Sequence, residues 1–176
     1  MSAVVRPASG SMVGARFSLT DHNGTPVTNE SYRGRFLVVF FGFTHCRVVC
    51  PRALTTLSAV LDELGSRADQ FQGLYVTVDP DRDTPATMKA FLEANYPRFT
   101  GLTGTAEQID AAKKEFRVFA RRVADPEERD EYVVPHSAIT YVLDRSGSFL
   151  THFTESTGAA EMVRRLDGAL TAGGPL

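Results

Sequence analysis

The sequence predicts an α/β fold, with one mixed central sheet flanked by helices. Three observations predict it. Strand-like apolar runs alternate with segments carrying apolar residues at helical spacing, in the order β-α-β-α-α-β-β-α after an N-terminal hairpin. The run Phe36-Leu37-Val38-Val39-Phe40-Phe41 is apolar at every position, which fits a central strand covered on both faces. Strand–helix–strand units need parallel pairing while a late hairpin needs antiparallel pairing, so the sheet is mixed. At 176 residues the chain reads as one domain, spanning residues 13–172. Residues 1–12 hold Pro7, Gly10 and several serines but few large apolar groups, and read as a flexible lead-in.

Each element has a local cause. Phe17 to Thr20 and Pro26 to Thr28 flank Asp21-His22-Asn23-Gly24, and Asn-Gly between short extended segments signals a hairpin. The apolar strand from Phe36 ends at Gly42 and Thr44. Pro51 suits a first helical turn, where its missing N–H costs nothing. Leu54, Leu57, Leu61 and Leu64 follow at helical spacing, and Gly65 stops the pattern. Gly73 to Val78 alternates Leu74, Val76 and Val78 as a second strand. Thr84-Pro85 is an N-cap followed by proline at the first helical position, opening a helix lined by Met88, Phe91 and Leu92. Ile109, Ala112, Phe116 and Phe119 line another helix. The charged segment Asp125 to Glu131 reads as a solvated loop. Ala138 to Leu143, the turn Asp144 to Gly147 and the return strand Phe149 to Phe153 form the late hairpin. A last helix carries Met162, Leu166 and Leu170.

Composition excludes several classes. Hydrophobic residues at 43% and charged residues at 23% exclude disorder for the bulk of the chain. The 19 Lys+Arg are balanced by 21 Asp+Glu and are not clustered, which argues against a nucleic-acid partner. No apolar run approaches the ~18 residues of a membrane helix, and the N-terminus lacks the basic start and apolar stretch of a secretory signal. The chain is read as a monomer without membrane contact of its own.

The two cysteines are too few for a disulfide framework, so their position carries the information. Cys46 and Cys50 sit between the buried strand and the helix opened by Pro51. In a sheet with helices on its faces, ligands gather at the carboxyl ends of the strands. A helix N-terminus adds partial positive charge and unpaired N–H groups, both favouring thiolate. Spacing of four brings both sulfurs to one side if the helical turn begins near Cys46. The pair can then form a disulfide or grip one soft metal ion, for which two thiolates select Cu(I), Zn or iron–sulfur. The plainer reading, two cysteines packed as small apolar groups, is disfavoured by their place at a loop–helix junction rather than inside the apolar stripe. Among the histidines, His22 falls in the hairpin turn and reads as solvent-facing. His152 is mid-strand. His45 adjoins Cys46, but neighbouring side chains point apart. His136 directly precedes a strand, in a loop that this topology can turn toward Cys46.

Phe41-Gly42-Phe43-Thr44-His45-Cys46 with Cys50-Pro51 resembles the Sco/SenC family of copper-binding assembly proteins. Val78-Asp79-Pro80-Asp81-Arg82-Asp83-Thr84-Pro85 matches that family's Asp-Pro-x-Arg-Asp-Thr-Pro segment. Arg98-Phe99 with Gly101-Leu102-Thr103-Gly104 resembles its following loop, and His136-Ser137-Ala138 resembles its histidine ligand segment. The similarity runs roughly from Phe17 to Phe153. It implies a thioredoxin-like fold with a hairpin inserted ahead of His136. It implies copper, as Cu(I) or Cu(II), bound by Cys46, Cys50 and His136. It also implies delivery of copper to, or reduction of, the dinuclear copper site of cytochrome c oxidase. The implied partners are that enzyme's copper-site subunit and other copper or thiol-redox proteins. The implied location is periplasmic or otherwise extracytoplasmic, behind a membrane anchor in the full-length protein.

Two positions depart from the family pattern. Arg47-Val48-Val49 stands where Pro and an acidic residue are common between the cysteines, and Pro135 stands where Asp commonly precedes the histidine. Both changes remove negative charge beside the expected metal, and Arg47 adds positive charge that favours thiolate but opposes a cation. Pro135 also resembles the proline opposite the cysteines of thioredoxins. Asp79, at the end of the second strand, is a further group expected beside the dithiol. Arg47 and Pro135 thus favour a rival reading, a thiol–disulfide oxidoreductase in which Cys46 attacks a partner disulfide and Cys50 resolves it. The two roles can coexist, because a copper target with cysteine ligands must be reduced before loading. A peroxidase of related fold needs neither the second cysteine nor the histidine.

Overall fold

The structure is a computed structural model that describes residues 14–45, 49–120, 123–124, 132–133 and 138–172. The expected hairpin is present as β1 (Ser18–Asp21) and β2 (Pro26–Thr28), with Asp21 Oδ1 accepting from the N–H groups of Asn23 and Thr25 at 2.9 and 3.0 Å. That short-range carboxylate cap is the chemistry that makes Asp-x-Asn-Gly a turn. β3 (Phe36–Gly42) is buried at all seven positions. It pairs in parallel with β4 (Phe71–Thr77) and antiparallel with β8 (Thr140–Leu143), which explains its lack of polar alternation. β9 (Phe149–Phe153) returns antiparallel on β8.

Within Arg98 to Gly104, expected as loop, residues Phe99–Thr103 form a strand, β5, parallel to β4 and antiparallel to β1. It is short and interrupted by Gly101, so no periodicity announces it. Gly101 serves close packing rather than a turn. A Cβ there would lie 3.0 Å from Leu92 Cδ1 and 3.0 Å from Met88 Cβ, because α2 (Pro85–Asn95) lies directly on the strand. The full sheet has seven strands in the order β2-β1-β5-β4-β3-β8-β9.

Two apolar layers enclose it. Phe36, Val38 and Phe40 of β3 pack against α1 (Val49–Glu63), α2 and α4 (Ala159–Ala172). Leu37, Val39 and Phe41 pack on the other face with α3 (Ala106–Phe116). The stripe expected to continue to Phe119 stops at Phe116. Arg117 takes the left-handed conformation at φ 56°, so α3 ends and Phe119 emerges 67% exposed. Two 3₁₀ turns, Asn29–Tyr32 and Gly65–Gln70, had no distinct sequence signal. Between α3 and β8 stand β6 (Val123–Ala124) and β7 (Tyr132–Val133), paired antiparallel, the hairpin the family resemblance implied. The loop expected over Asp125 to Glu131 and the lead-in at 1–12 lie outside the described residues.

Candidate metal centre at the carboxyl ends of the parallel strands

β3, β4 and β5 run the same way, so Gly42, Thr77 and Thr103 end at one edge of the sheet. Cys50, in the first turn of α1, lies against the β3 end at Gly42. Of the proposed ligands only Cys50 is among the described residues; Cys46 and His136, with Arg47 and Pro135 beside them, lie outside.

Cys50 is fully buried, at 0% exposure, and packs in one cluster with Phe40, Leu54, Leu57 and Tyr75. This corrects the expectation that it stands apart from the apolar stripe: Cys50 opens that stripe, one turn ahead of Leu54. Gly42 makes the space for its sulfur. A Cβ on Gly42 would lie 2.7 Å from Cys50 Sγ and 2.5 Å from Tyr75 Oη. The thiol and the phenol therefore flank the same glycine. A soft sulfur at a helix N-terminus, on a floor of aromatic rings, suits a soft monovalent cation better than a hard one.

The chain leaving β3 is pinned at three successive residues. Gly42 O accepts from Val78 N at 2.8 Å. Phe43 O accepts from Tyr75 Oη at 2.9 Å. Thr44 donates its N–H to Asp83 Oδ2 at 3.0 Å and its hydroxyl to Asp83 Oδ1 at 2.5 Å. Asp83 also accepts from Thr77 Oγ1 at 2.7 Å and is 0% exposed. Three donors on two oxygens offset the cost of burying a carboxylate.

Asp79 stands at the expected edge, 1% exposed, and its Oδ2 accepts from Arg82 Nε at 2.5 Å. The Arg82 guanidinium lies over the Phe43 ring, 5.9 Å from its centroid. Asp79 thus belongs to the wall beside the Gly42–Thr44 segment, with a cation already against it.

Sequence reasoning missed Asp83, Thr44, Thr77 and Tyr75. Asp83 was absorbed into the helix-cap reading of Thr84-Pro85, which is itself correct, since Thr84 accepts from Thr87 N. The available signal was position: a charged residue in a short link between a strand end and a helix cap must lie at the sheet's carboxyl edge. Among the described residues the other three histidines make contacts of their own. His22 is half-buried, not solvent-facing, because its Nδ1 accepts the Gly101 N–H at 3.1 Å and secures β5. His152 is exposed on the edge strand and stacks on Phe149 with centroids 6.3 Å apart. His45 is exposed, with Nδ1 3.3 Å from Thr44 Oγ1.

A family model described as SCO1/SenC matches residues 5–171. The chain belongs to the SCO1/SenC family. It is 33% identical over 156 residues to the SCO2-like protein of Rickettsia felis, covering 89% of this chain and 76% of that protein. Among solved structures, Bradyrhizobium japonicum ScoI with copper bound is 38% identical, with a TM-score of 0.80 over 89% of this chain and 99% of that one. Yeast Sco1 with copper bound is 30% identical, with a TM-score of 0.83 over 93% and 91% of the two chains. The architecture is accordingly thioredoxin-like, as the resemblance implied.

Proposed function

We propose that this SCO1/SenC protein binds one copper ion through the Cys46 and Cys50 thiolates with His136, and hands it to a cysteine-bearing copper site. One observation carries the reading. Cys50 occupies the first turn of α1 at the carboxyl end of β3, in a chain 38% identical to a ScoI solved with copper bound. Soft sulfurs hold Cu(I), and an imidazole adds a donor suited to Cu(II). Copper is cargo here, so its release by ligand exchange is part of the function. The partner we infer is the copper-site subunit of cytochrome c oxidase, with other copper or thiol-redox proteins as further partners. The working location is extracytoplasmic, in the periplasm, with a membrane anchor in the full-length protein; among the described residues no helix is long and apolar enough to cross a membrane. Residues 13–172 act as the single working domain.

A second reading, reduction of a partner's disulfide, is supported by the full burial of Cys50, which suits a resolving thiol behind an attacking Cys46. Copper titration of the reduced protein, read by optical and paramagnetic resonance spectra, tests the first reading. One equivalent should bind, and Cys46→Ala or Cys50→Ala should abolish tight binding. Full copper binding by either cysteine variant would overturn it.

A further inference from the structure

We infer that Asp83 is a positioning residue for the dithiol chemistry: its carboxylate fixes the backbone at Thr44, two residues ahead of Cys46 in the sequence, and its loss shifts the dithiol–disulfide equilibrium. The geometry is one-sided in a way that plain fold stabilisation does not require. Both oxygens of Asp83 engage Thr44, one taking its N–H at 3.0 Å and the other its hydroxyl at 2.5 Å. The Asp83 side chain is in turn held by Thr77 Oγ1 at the end of β4. Its main chain is tied to the rest of the edge, donating N–H to Asp79 O at 3.0 Å and accepting from Thr103 Oγ1 at 2.8 Å through its carbonyl. The carboxylate, through Thr77, thus ties the end of β4 to the segment that leaves β3, while the Thr103 bond reaches only the Asp83 main chain. Tyr75 and Val78 fix the two residues before Thr44, so with Asp83 in place Gly42 to Thr44 is held by the rigid sheet. Removing the carboxylate leaves the Thr44 N–H without that acceptor and loosens the chain two residues before Cys46. A site whose supporting contacts are lost binds more weakly because the ordering cost moves to the binding step.

The metal arm of this inference rests on the copper reading, and the thiol arm does not. Asp83→Ala removes the whole clamp, and Thr44→Val removes its hydroxyl arm while the main-chain N–H stays on Asp83 Oδ2. Thr103→Val is the control, because it deletes a bond to the Asp83 main chain in the same buried neighbourhood and leaves the carboxylate on Thr44. Each protein is equilibrated with glutathione, in which two protein thiols and one glutathione disulfide give one protein disulfide and two glutathione thiols. Each reduced protein is also titrated with Cu(I) against a competing chelator, and folding is checked by circular dichroism. The expected result is a shift of tenfold or more in the dithiol–disulfide equilibrium constant for Asp83→Ala and a smaller one in the same direction, at least threefold, for Thr44→Val, with copper affinity losses of similar size. Thr103→Val should stay within twofold on both readouts. If Asp83→Ala does not fold, Thr44→Val decides. Equilibrium constants within twofold of the parent in the clamp variants, or an equal shift in Thr103→Val, would overturn the assignment. A parent protein that binds no copper refutes the copper reading, and the glutathione arm still decides on Asp83.

Discussion

Replacing Gly42 by alanine places a methyl group in space already occupied. Its carbon would lie 2.5 Å from Tyr75 Oη, 2.6 Å from Tyr75 Cε2 and 2.7 Å from Cys50 Sγ. Non-bonded heavy atoms sit comfortably at roughly 3.5–4.0 Å, so something must move by about 1 Å. β3 cannot retreat, because it pairs with β4 on one side and β8 on the other. Tyr75 is hemmed in by Phe40 and Phe91, with ring centroids 6.2 Å away in each case, and is 0% exposed. The strain therefore falls on the Tyr75–Phe43 hydrogen bond and on the Cys50 sulfur. Overpacking of this kind costs about 1–3 kcal/mol, and for a chain of this size that lowers Tm by about 2–12 °C. Urea unfolding of Gly42→Ala measures the cost, and a Cu(I) competition assay measures the displaced sulfur, where affinity should fall at least tenfold. The cycle with Cys50→Ala isolates the sulfur's share: with Sγ gone, the alanine should cost less by more than ~0.5 kcal/mol. A stability within ~0.5 kcal/mol of the parent, or equal costs in both backgrounds, refutes the packing argument.

His136→Ala should weaken Cu(II) more than Cu(I), read by paramagnetic resonance, while His152→Ala changes neither. His22→Ala should leave copper binding intact but lower stability by about 1 kcal/mol, because the Gly101 N–H loses its acceptor; an unchanged urea midpoint refutes that tie. Arg47→Ala should tighten copper and slow thiol alkylation at neutral pH, since one fixed charge favours a bare thiolate and opposes a cation; a gain of ~1.4 kcal/mol would be tenfold in competition assays. Cys50 should alkylate at least tenfold more slowly in the folded protein than in urea, as its full burial requires, and equal rates by mass spectrometry would contradict it. Burial raises Tyr141 to about 12, and burial followed by the Asp21 charge raises Tyr32 to about 12, both from 10. Between those values the unfolded chain has lost protons that the folded one keeps, so the contribution of these two tyrosines is level below pH 10 and falls through the window 10–12. Urea midpoints that stay level from pH 10 to 11.5 refute this.

Most of the fold was legible because its elements carry strong local chemistry. The uninterrupted Phe36–Phe41 run announced the central strand. Thr84-Pro85 announced α2, and the carboxylate turns at Asp21 and Asp144 announced the two hairpins. What stayed illegible depended on tertiary packing. β5 reads as loop because five residues around Gly101 have no period. It is a strand because β4 and β1 offer it backbone partners on both sides and α2 needs a glycine beneath it. The Phe119 error came from extending a helical stripe past Arg117, whose left-handed conformation breaks it.

The site divides along the same line. Cysteine spacing and the strand-to-helix junction located the chemistry, since both are local. The support around it comes from residues 39 positions apart in the case of Thr44 and Asp83, and 32 in the case of Phe43 and Tyr75, which no local pattern connects. Asp79 and Asp83 look alike in the segment Asp-Pro-Asp-Arg-Asp-Thr-Pro, yet the fold gives them opposite tasks. Asp79 meets a cation, Arg82, and forms the wall. Asp83 meets only donors from Thr44 and Thr77 and grips the chain that leads to Cys46. Asp79 accepts from the Arg82 side chain, whereas Asp83 accepts from both the main-chain N–H and the hydroxyl of Thr44. A bond to a main-chain N–H holds the backbone itself, which a bond to another residue's flexible side chain does not. On that physical ground Asp83, and not the better-marked Asp79, is the residue whose loss should be felt in the thiol chemistry.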